Sequence, residues 1–401
     1  MRVVHNSYGG RYSDNPRAIA EALVADGHPS THVWLVHPAH AHGFPAGIET
    51  VEFGSERCIQ ELESADVVVS NTHIELDWKK SANTVYLQTW HGTPLKHIHF
   101  DSLWAPPGRV AYLTEDVRRW DYLISPNRAS TELLRGAFGF TGEIAETGYP
   151  RNDVLNGPRR DETRERVRRQ FGIPADATVV LYTPTWRDDI LDGQGRQDFS
   201  LHLDLAEFTR RLGPDVYLLL RVHFLVSAEL PPLDTANVRN VSDHPDVSDL
   251  YLAADVMVTD YSSAMFDFAV TGKPLLFYTY DLAHYRDTLR GFYFDFDEHA
   301  PGPLLHTSSD VIDALADLTS VRDRYAQAYA RFQERFCHLD DGHATARVID
   351  RFLAERPRRS PRRSHAQRTA VTRLATVVAG PPVRQREDRG VDVSPAPPVA
   401  G

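Results

Sequence analysis

The sequence predicts an α/β protein made of two doubly wound domains that face a central cleft. Three observations lead there. Short β-rich runs alternate with helical patterns along most of the chain, an order that favours parallel sheets covered by helices. The pattern occurs twice, with a strongly charged stretch between the two series. Histidines, hydroxyls and arginines gather where the apolar runs end, and in open α/β sheets that is where ligands bind.

The elements follow in order. "MRVVHNS" reads as a strand, and a Gly-Gly turn leads from it to "NPRAIAEALVADG", a helix with Pro16 near its start and Gly27 at its end. "THVWLVH", "ADVVVSN" and "TVYLQTW" are further apolar runs of strand length. After "ETGYPRNDVL" the pattern breaks into "NGPRRDETRERVRRQFG", a charged helix that marks a domain junction. A second series of buried strands follows in "ATVVLYTPTW", "DVYLLLRVH", "ANVRNVSD", "ADVMVTDYSS" and "GKPLLFYTY". The expected boundaries are an N-terminal domain over 1–155 and a C-terminal domain over 156–330. A helical segment over 331–355 should pack back across the junction, and 356–401 forms an Arg/Pro-rich tail.

Composition limits the setting. At 401 residues, 10% aromatic and 25% charged, the chain is long enough for two cores. No apolar run reaches the length of a membrane span, and "MRVVHNSYGG" has no signal-peptide pattern, so a cytoplasmic protein is expected. Cys58 and Cys337 are too few and too far apart for a disulfide framework or a cysteine zinc site. The net charge of −11 hides an asymmetry, because residues 356–401 hold ten Arg against three acidic residues and leave the body strongly acidic. Such a tail is either solvated or in contact with anionic headgroups at the inner face of a membrane.

Candidate residues lie at the strand ends. His91, in "LQTWHGTPLKHIHF", reads as a general base, or as a structural residue in a tight turn with Gly92 and Pro94. His97 and His99 would complete a metal set with His91, but no acidic ligand stands at a suitable spacing and no Asp-x-Asp pair follows a strand. No tightly bound metal and no cofactor are therefore expected, with a divalent cation at most stimulatory. Ser262 and Ser263 open a helix whose free amides suit a phosphate, or else one of them is an ordinary N-cap; Asp267 lies a turn further on. There is no P-loop and no dinucleotide fingerprint. Thr185 and Arg187 follow "VVLYTP", and Arg221 and His223 follow "VYLLL". The two arginines read as phosphate ligands or as interdomain ion-pair residues. Asp14 and Asn15 either cap the first helix or face the cleft; Arg151, Asn152 and Asp153 either cap the charged helix or line the cleft.

Eight motifs in order, "YSDNPRAI", "WHGTPLK", "GYPRNDVL", "YTPTWRD", "LRVH", "TDYSSAMFDF", "KPLLFYTYDLAHY" and "RGFYFDF", resemble the CDP-glycerol glycerophosphotransferases of teichoic acid synthesis. The resemblance runs from about Val3 to Val348, nearly the whole chain except the tail. It implies two Rossmann-like domains of the GT-B kind, with the nucleotide on the C-terminal domain and the acceptor on the N-terminal one. The implied reaction is attack of an acceptor hydroxyl on the β-phosphorus of CDP-glycerol, a substrate rather than a cofactor. The implied partners are a lipid-linked acceptor or polyol-phosphate polymer and a membrane surface, with no nucleic acid.

By the same resemblance His91 matches the catalytic base, and His223 a phosphate-stabilising or acid role. Arg187, Arg221, Ser262, Ser263 and Asp267 fall to the donor, while Asp14, Asn15, Gly92, Thr93, Arg151, Asn152, Asp153 and Thr185 line the cleft. CDP-ribitol transfer, a nucleotide-sugar glycosyltransferase on the same fold, and a non-catalytic binding protein are the alternatives.

Overall fold

A computed structural model describes residues 1–102, 108–185, 187, 201–222 and 237–353. Two wholly parallel sheets organise them. The first holds β1 (Arg2–Asn6), β2 (Thr31–Val36), β3 (Glu49–Glu52), β4 (Val67–Ser70), β5 (Val85–Gln88), β6 (Tyr122–Ser125) and β7 (Glu143–Glu146), in spatial order β3-β2-β1-β4-β5-β6-β7. The second holds β8 (Thr178–Thr183), β9 (Val216–Leu220), β10 (Val238–Asn240), β11 (Val256–Thr259), β12 (Leu275–Tyr278) and β13 (Leu304–Leu305), in order β10-β9-β8-β11-β12-β13. Both orders run outward from a reversal point, between β1 and β4 in one sheet and β8 and β11 in the other. This is the doubly wound arrangement of two Rossmann-like domains, and it is GT-B-like.

The alternation of side chains along each strand explains why both faces of both sheets are covered. In the first sheet Val4, Val68, Tyr86 and Leu123 point to one core, while Val3, Val67, Val69, Leu87 and Ile124 point to the opposite one. In the second, Val179, Leu181, Met257 and Phe277 face one core and Val180, Tyr182, Val258 and Leu276 the other. Strands apolar on both sides read as continuous runs, and every run singled out in the sequence contains a strand. The strands not anticipated are β3, β6, β7 and β13, which are short, and two of them, β3 and β7, begin and end on Glu.

The charged helix at the junction, Arg160–Gln170, is anchored rather than free in solvent. Arg164 and Arg168 grip the two oxygens of Asp255 at 2.6 and 2.7 Å, and both also donate to main-chain carbonyls in the segment Leu252–Ala254 at the end of the helix Val247–Ala253. The chain passes from one core to the other just before this helix, since Tyr149 belongs to the first and Leu155 to the second.

It also returns. The helix Leu318–Phe336 places Phe332 and Phe336 in the core of the second domain, and Phe336 O accepts from Asn127 Nδ2 of the first at 2.9 Å. The next helix, Ala344–Phe352, places Val348 and Phe352 in the core of the first. The crossing is thus divided between two helices. Among the described residues no helix is long and apolar enough to cross a membrane.

Candidate active site

The two reversal points open into one cleft of about 350 Å³. Its walls come from both domains, with Tyr8, Asp14, His91 and Lys96 on one side and Thr185, Arg221, Ser262 and Ser263 on the other.

His91 follows the end of β5 by three residues. Thr89 donates to Ser70 O, and Trp90 turns into the left-handed region at φ 52°, rare for a residue with a side chain. The Trp90 ring packs on Phe138 at 4.6 Å, and this seat turns the imidazole of His91 toward the cleft. Nδ1 of His91 lies 2.6 Å from the main-chain oxygen of Asn71, which can only accept, so Nδ1 carries the hydrogen and Nε2 is the basic nitrogen. Tyr8 covers the ring from the other side, with centroids 5.4 Å apart. Burial pushes the pKa of His91 down to about 4, with the Asn71 carbonyl opposing, so the imidazole is neutral at pH 7 and a weaker base than a free histidine.

Beneath His91 lies a buried ionic knot. Arg151 is clamped between Asp14 and Asp267, at 2.5 and 2.7 Å, and all three side chains are at most 6% exposed. Asn152 donates to Asp267 and to Asp340, both at 2.9 Å. Asn15 accepts from the Arg151 amide at 3.1 Å and donates to Trp90 O at 3.0 Å, which ties the knot to the seat of His91. Asp14 adopts φ 63°, and the N-cap position of the first helix falls to Ser13. Backbone strain of this kind costs about 1–3 kcal/mol and persists where surrounding bonds enforce it. Here Tyr8 Oη, the Asn15 amide and Arg151 all hold the Asp14 carboxylate.

On the opposite wall the Thr185 amide donates to Asp260 at 3.0 Å. Arg221 reaches the carbonyls of Val241 and His244 at 3.2 and 2.8 Å and lines the cleft; burial lowers its pKa. Ser262 and Ser263 precede the short helix Ala264–Ala269, and Ser262 Oγ accepts from Ala264 N at 3.3 Å, a capping contact. Gly92 abuts this turn, because a Cβ built on it would lie 2.7 Å from Ser263 Oγ.

Several expected residues stand elsewhere. Arg187 is not on the cleft wall: Asp281 takes its Nε and Nη2 at 2.6 and 2.9 Å, Asp260 takes Nη1 at 2.9 Å, and the guanidinium braces the Thr185 turn. This is the ion-pair alternative, although both partners belong to its own domain. Asp153 caps neither the cleft nor the charged helix; it accepts from the amides of Ala344 and Thr345 at 2.9 and 2.7 Å and so caps the terminal helix. Asp267 lines the cleft, but Arg151 and Asn152 occupy its carboxylate, which suits a floor residue better than a phosphate ligand. Asn15, Gly92, Thr93 and Asn152 lie behind the lining residues; Thr93 accepts from Asn127 at 3.3 Å.

His97 packs on Tyr293 and His99 bonds to Ala137 O, and among the described residues no three ligand-type side chains come together. His223 lies outside the described residues, as does the tail; Val222, just before His223, lines the cleft.

Sequence reasoning missed Tyr8, Arg11, Lys96, Asp246 and Tyr251 on the cleft wall. A signal existed for the first two, since they flank Gly9-Gly10. A Cβ on Gly10 would fall 2.1 Å from the His37 nitrogen, so this loop must press against its neighbour. Lys96 stood inside "WHGTPLK".

A family model described as CDP-Glycerol:Poly(glycerophosphate) glycerophosphotransferase matches residues 1–354. The chain is 40% identical over 356 residues to the teichoic acid glycerol-phosphate transferase of Staphylococcus aureus, covering 85% of this chain and 90% of the relative. It is 37% identical over 359 residues to the teichoic acid poly(glycerol phosphate) polymerase of Bacillus subtilis, covering 87% of this chain but only 48% of that longer protein. In three dimensions it is similar to the wall teichoic acid polymerase TagF, with a TM-score of 0.80 and 34% identity over 93% of this chain and 90% of the other.

Proposed function

The chain belongs to the CDP-glycerol:poly(glycerophosphate) glycerophosphotransferase family, and on that premise we propose that it transfers glycerol phosphate from CDP-glycerol to a hydroxyl of a polyol-phosphate chain or lipid-linked primer in teichoic acid synthesis. The observation that carries the reading is His91. It is a neutral imidazole with its Nδ1 hydrogen committed to Asn71, on the wall of a cleft that the Ser262–Ser263 turn of the other domain also lines, and its neighbour Gly92 abuts that turn.

The chemistry asks for little more. The acceptor oxygen attacks the β-phosphorus as the bridging P–O bond breaks, CMP leaves with that bridging oxygen, and the hydroxyl proton passes to His91 Nε2. Among the described residues Arg221, Arg11, Lys96 and Arg151 are the Lys and Arg side chains that line the cleft, and the first three, with the Ser262 and Ser263 hydroxyls, are suited to supply donors to the pyrophosphate. On this reading no resident cofactor is needed, and turnover should survive thorough chelation. Activity lost on chelation and restored only by a stoichiometric metal would overturn that part.

His91→Ala tests the core of the proposal. CDP-glycerol affinity should stay near wild type while the single-turnover rate of CMP release falls by roughly 100- to 10,000-fold, the usual reach of general-base catalysis. A folded His91→Ala enzyme with a near-normal rate would sink it. CDP-ribitol and UDP-sugars should support little or no release.

The acceptor also gives the Arg-rich segment 356–401 a task. Each Arg near an anionic leaflet contributes roughly 1 kcal/mol, and ten are present. Truncation after Glu355 should reduce sedimentation with anionic vesicles without slowing turnover on a soluble acceptor. Equal vesicle binding at low salt would remove that role.

A further inference from the structure

We infer that Asn71 is a positioning residue for His91, fixing the tautomer and direction of the imidazole through its main-chain carbonyl while its side chain fastens that carbonyl to the loop after β1. The inference rests on the general-base reading of His91. Asn71 sits immediately after β4, at the reversal point of the first sheet, and is fully buried.

Its groups are divided among four neighbours. The amide N–H donates to Asn6 O at 3.3 Å, extending the pairing of β1 with β4 by one residue. The side-chain Oδ1 accepts from Tyr8 N at 2.9 Å, and Nδ2 donates to Ser7 Oγ at 3.3 Å. The carbonyl faces His91 Nδ1 at 2.6 Å. A backbone carbonyl just past a strand end would ordinarily be free to rotate with its peptide; here side-chain bonds on either side of the loop hold it.

The loop so fastened carries the other groups around the base. Ser7 Oγ continues to Ser13 Oγ at 3.1 Å, and Ser13 is the N-cap of the helix that holds Asp14. Tyr8, with φ 48°, covers the imidazole and donates to Asp14. One asparagine therefore sets the ring, its cover and the neighbouring carboxylate in a common frame. An accepting carbonyl at Nδ1 is the usual device by which a histidine is kept with Nε2 basic.

Two substitutions separate positioning from plain structure. Asn71→Ala removes both side-chain bonds; Asn71→Asp keeps the acceptor for Tyr8 N and can still pair with the Ser7 hydroxyl. In ¹⁵N-histidine spectra, with the His91 signals assigned by their loss in His91→Ala, wild type should show the Nδ1–H tautomer alone. Asn71→Ala should show a mixture of tautomers and a single-turnover rate 10- to 100-fold lower, with CDP-glycerol affinity within about twofold of wild type. Asn71→Asp should restore most of both.

A folded Asn71→Ala protein with the wild-type tautomer, or with an unchanged rate per folded molecule, overturns the inference. Should Asn71→Ala fail to fold, Ser7→Ala, which removes the partner of Asn71 Nδ2, is measured instead, and a tautomer and rate identical to wild type would overturn the inference. The two ideas fail separately. An active His91→Ala enzyme removes the base, whereas a tautomer indifferent to residue 71 removes only the positioning.

Discussion

Gly92 and Ser263, one from each domain, stand so close that a β-carbon on Gly92 would lie 2.7 Å from Ser263 Oγ and 3.0 Å from its Cβ. Gly92 has an ordinary backbone conformation, so closeness alone explains the glycine. Gly92→Ala should lower the melting temperature by the equivalent of about 1–3 kcal/mol, the cost of overpacking. Ser263→Gly in the same chain should return part of that loss, giving a coupling energy above about 0.5 kcal/mol in a double-mutant cycle. Purely additive melting data would mean that the contact is slack.

Arg151 is the second target. With only 4% of its side chain exposed, its removal leaves Asp14 and Asp267 buried and unpaired, so Arg151→Met should cost about 3–5 kcal/mol in chemical denaturation. Burial already raises the pKa of Asp267, so the deficit should shrink as pH falls and that carboxylate protonates. A deficit independent of pH would count against uncompensated charge as its cause.

Two groups should give stability opposite slopes with pH. His91, held at about 4 by burial, stays neutral in the folded protein while the unfolded chain takes up a proton near pH 6.5. Stability is therefore lost as pH falls from about 6.5 toward 4, and His91→Ala should flatten that limb. Asp340 is raised to about 7, chiefly by burial, although Asn152 donates to it. The unfolded chain releases that proton near 4, so stability is lost as pH rises from about 4 to 7, and Asp340→Asn should remove the decline. Melting temperatures of the three proteins across pH 4–8 decide both.

Asp153 separates a cap from a cleft residue. Asp153→Ala should cost about 0.5–2 kcal/mol, the range for a lost N-cap, with faster amide exchange over Ala344–Phe352. CDP-glycerol affinity should be unchanged. A weakened affinity with normal exchange in that helix would return Asp153 to the cleft.

The buried strands were legible because a strand covered on both faces needs an unbroken apolar run, as in "ADVVVSN" and "ADVMVTDYSS". Three of the four edge strands were not, since β13 has two residues and β3 and β7 read Glu-Thr-Val-Glu and Glu-Ile-Ala-Glu, and the interior β6 has only four. His91, Arg221, Ser262 and Ser263 were legible as cleft residues because chemistry gathers where such runs end. Arg187 and Arg151 look alike in sequence, each just past a strand and followed by Asp or Asn. What divides them is which distant carboxylates claim them: Asp260 and Asp281, 73 and 94 residues away, hold the first off the cleft wall, while Asp14 and Asp267, 137 and 116 residues away, hold the second on it. Asn71 was invisible for another reason, since a main-chain carbonyl leaves no mark in the residue type.

The chain joins the two domains twice, once between Tyr149 and Leu155 and again between Phe336 and Ala344. A single tether would let two bodies swing in any direction. Two tethers leave one easy motion, a turn about the line joining them, as a door turns on a pair of pins. Asn152 on the first tether donates to Asp340 on the second at 2.9 Å, so that line runs beside Arg151 and Asp267. A turn about that line would displace the ionic knot least and the far rim most.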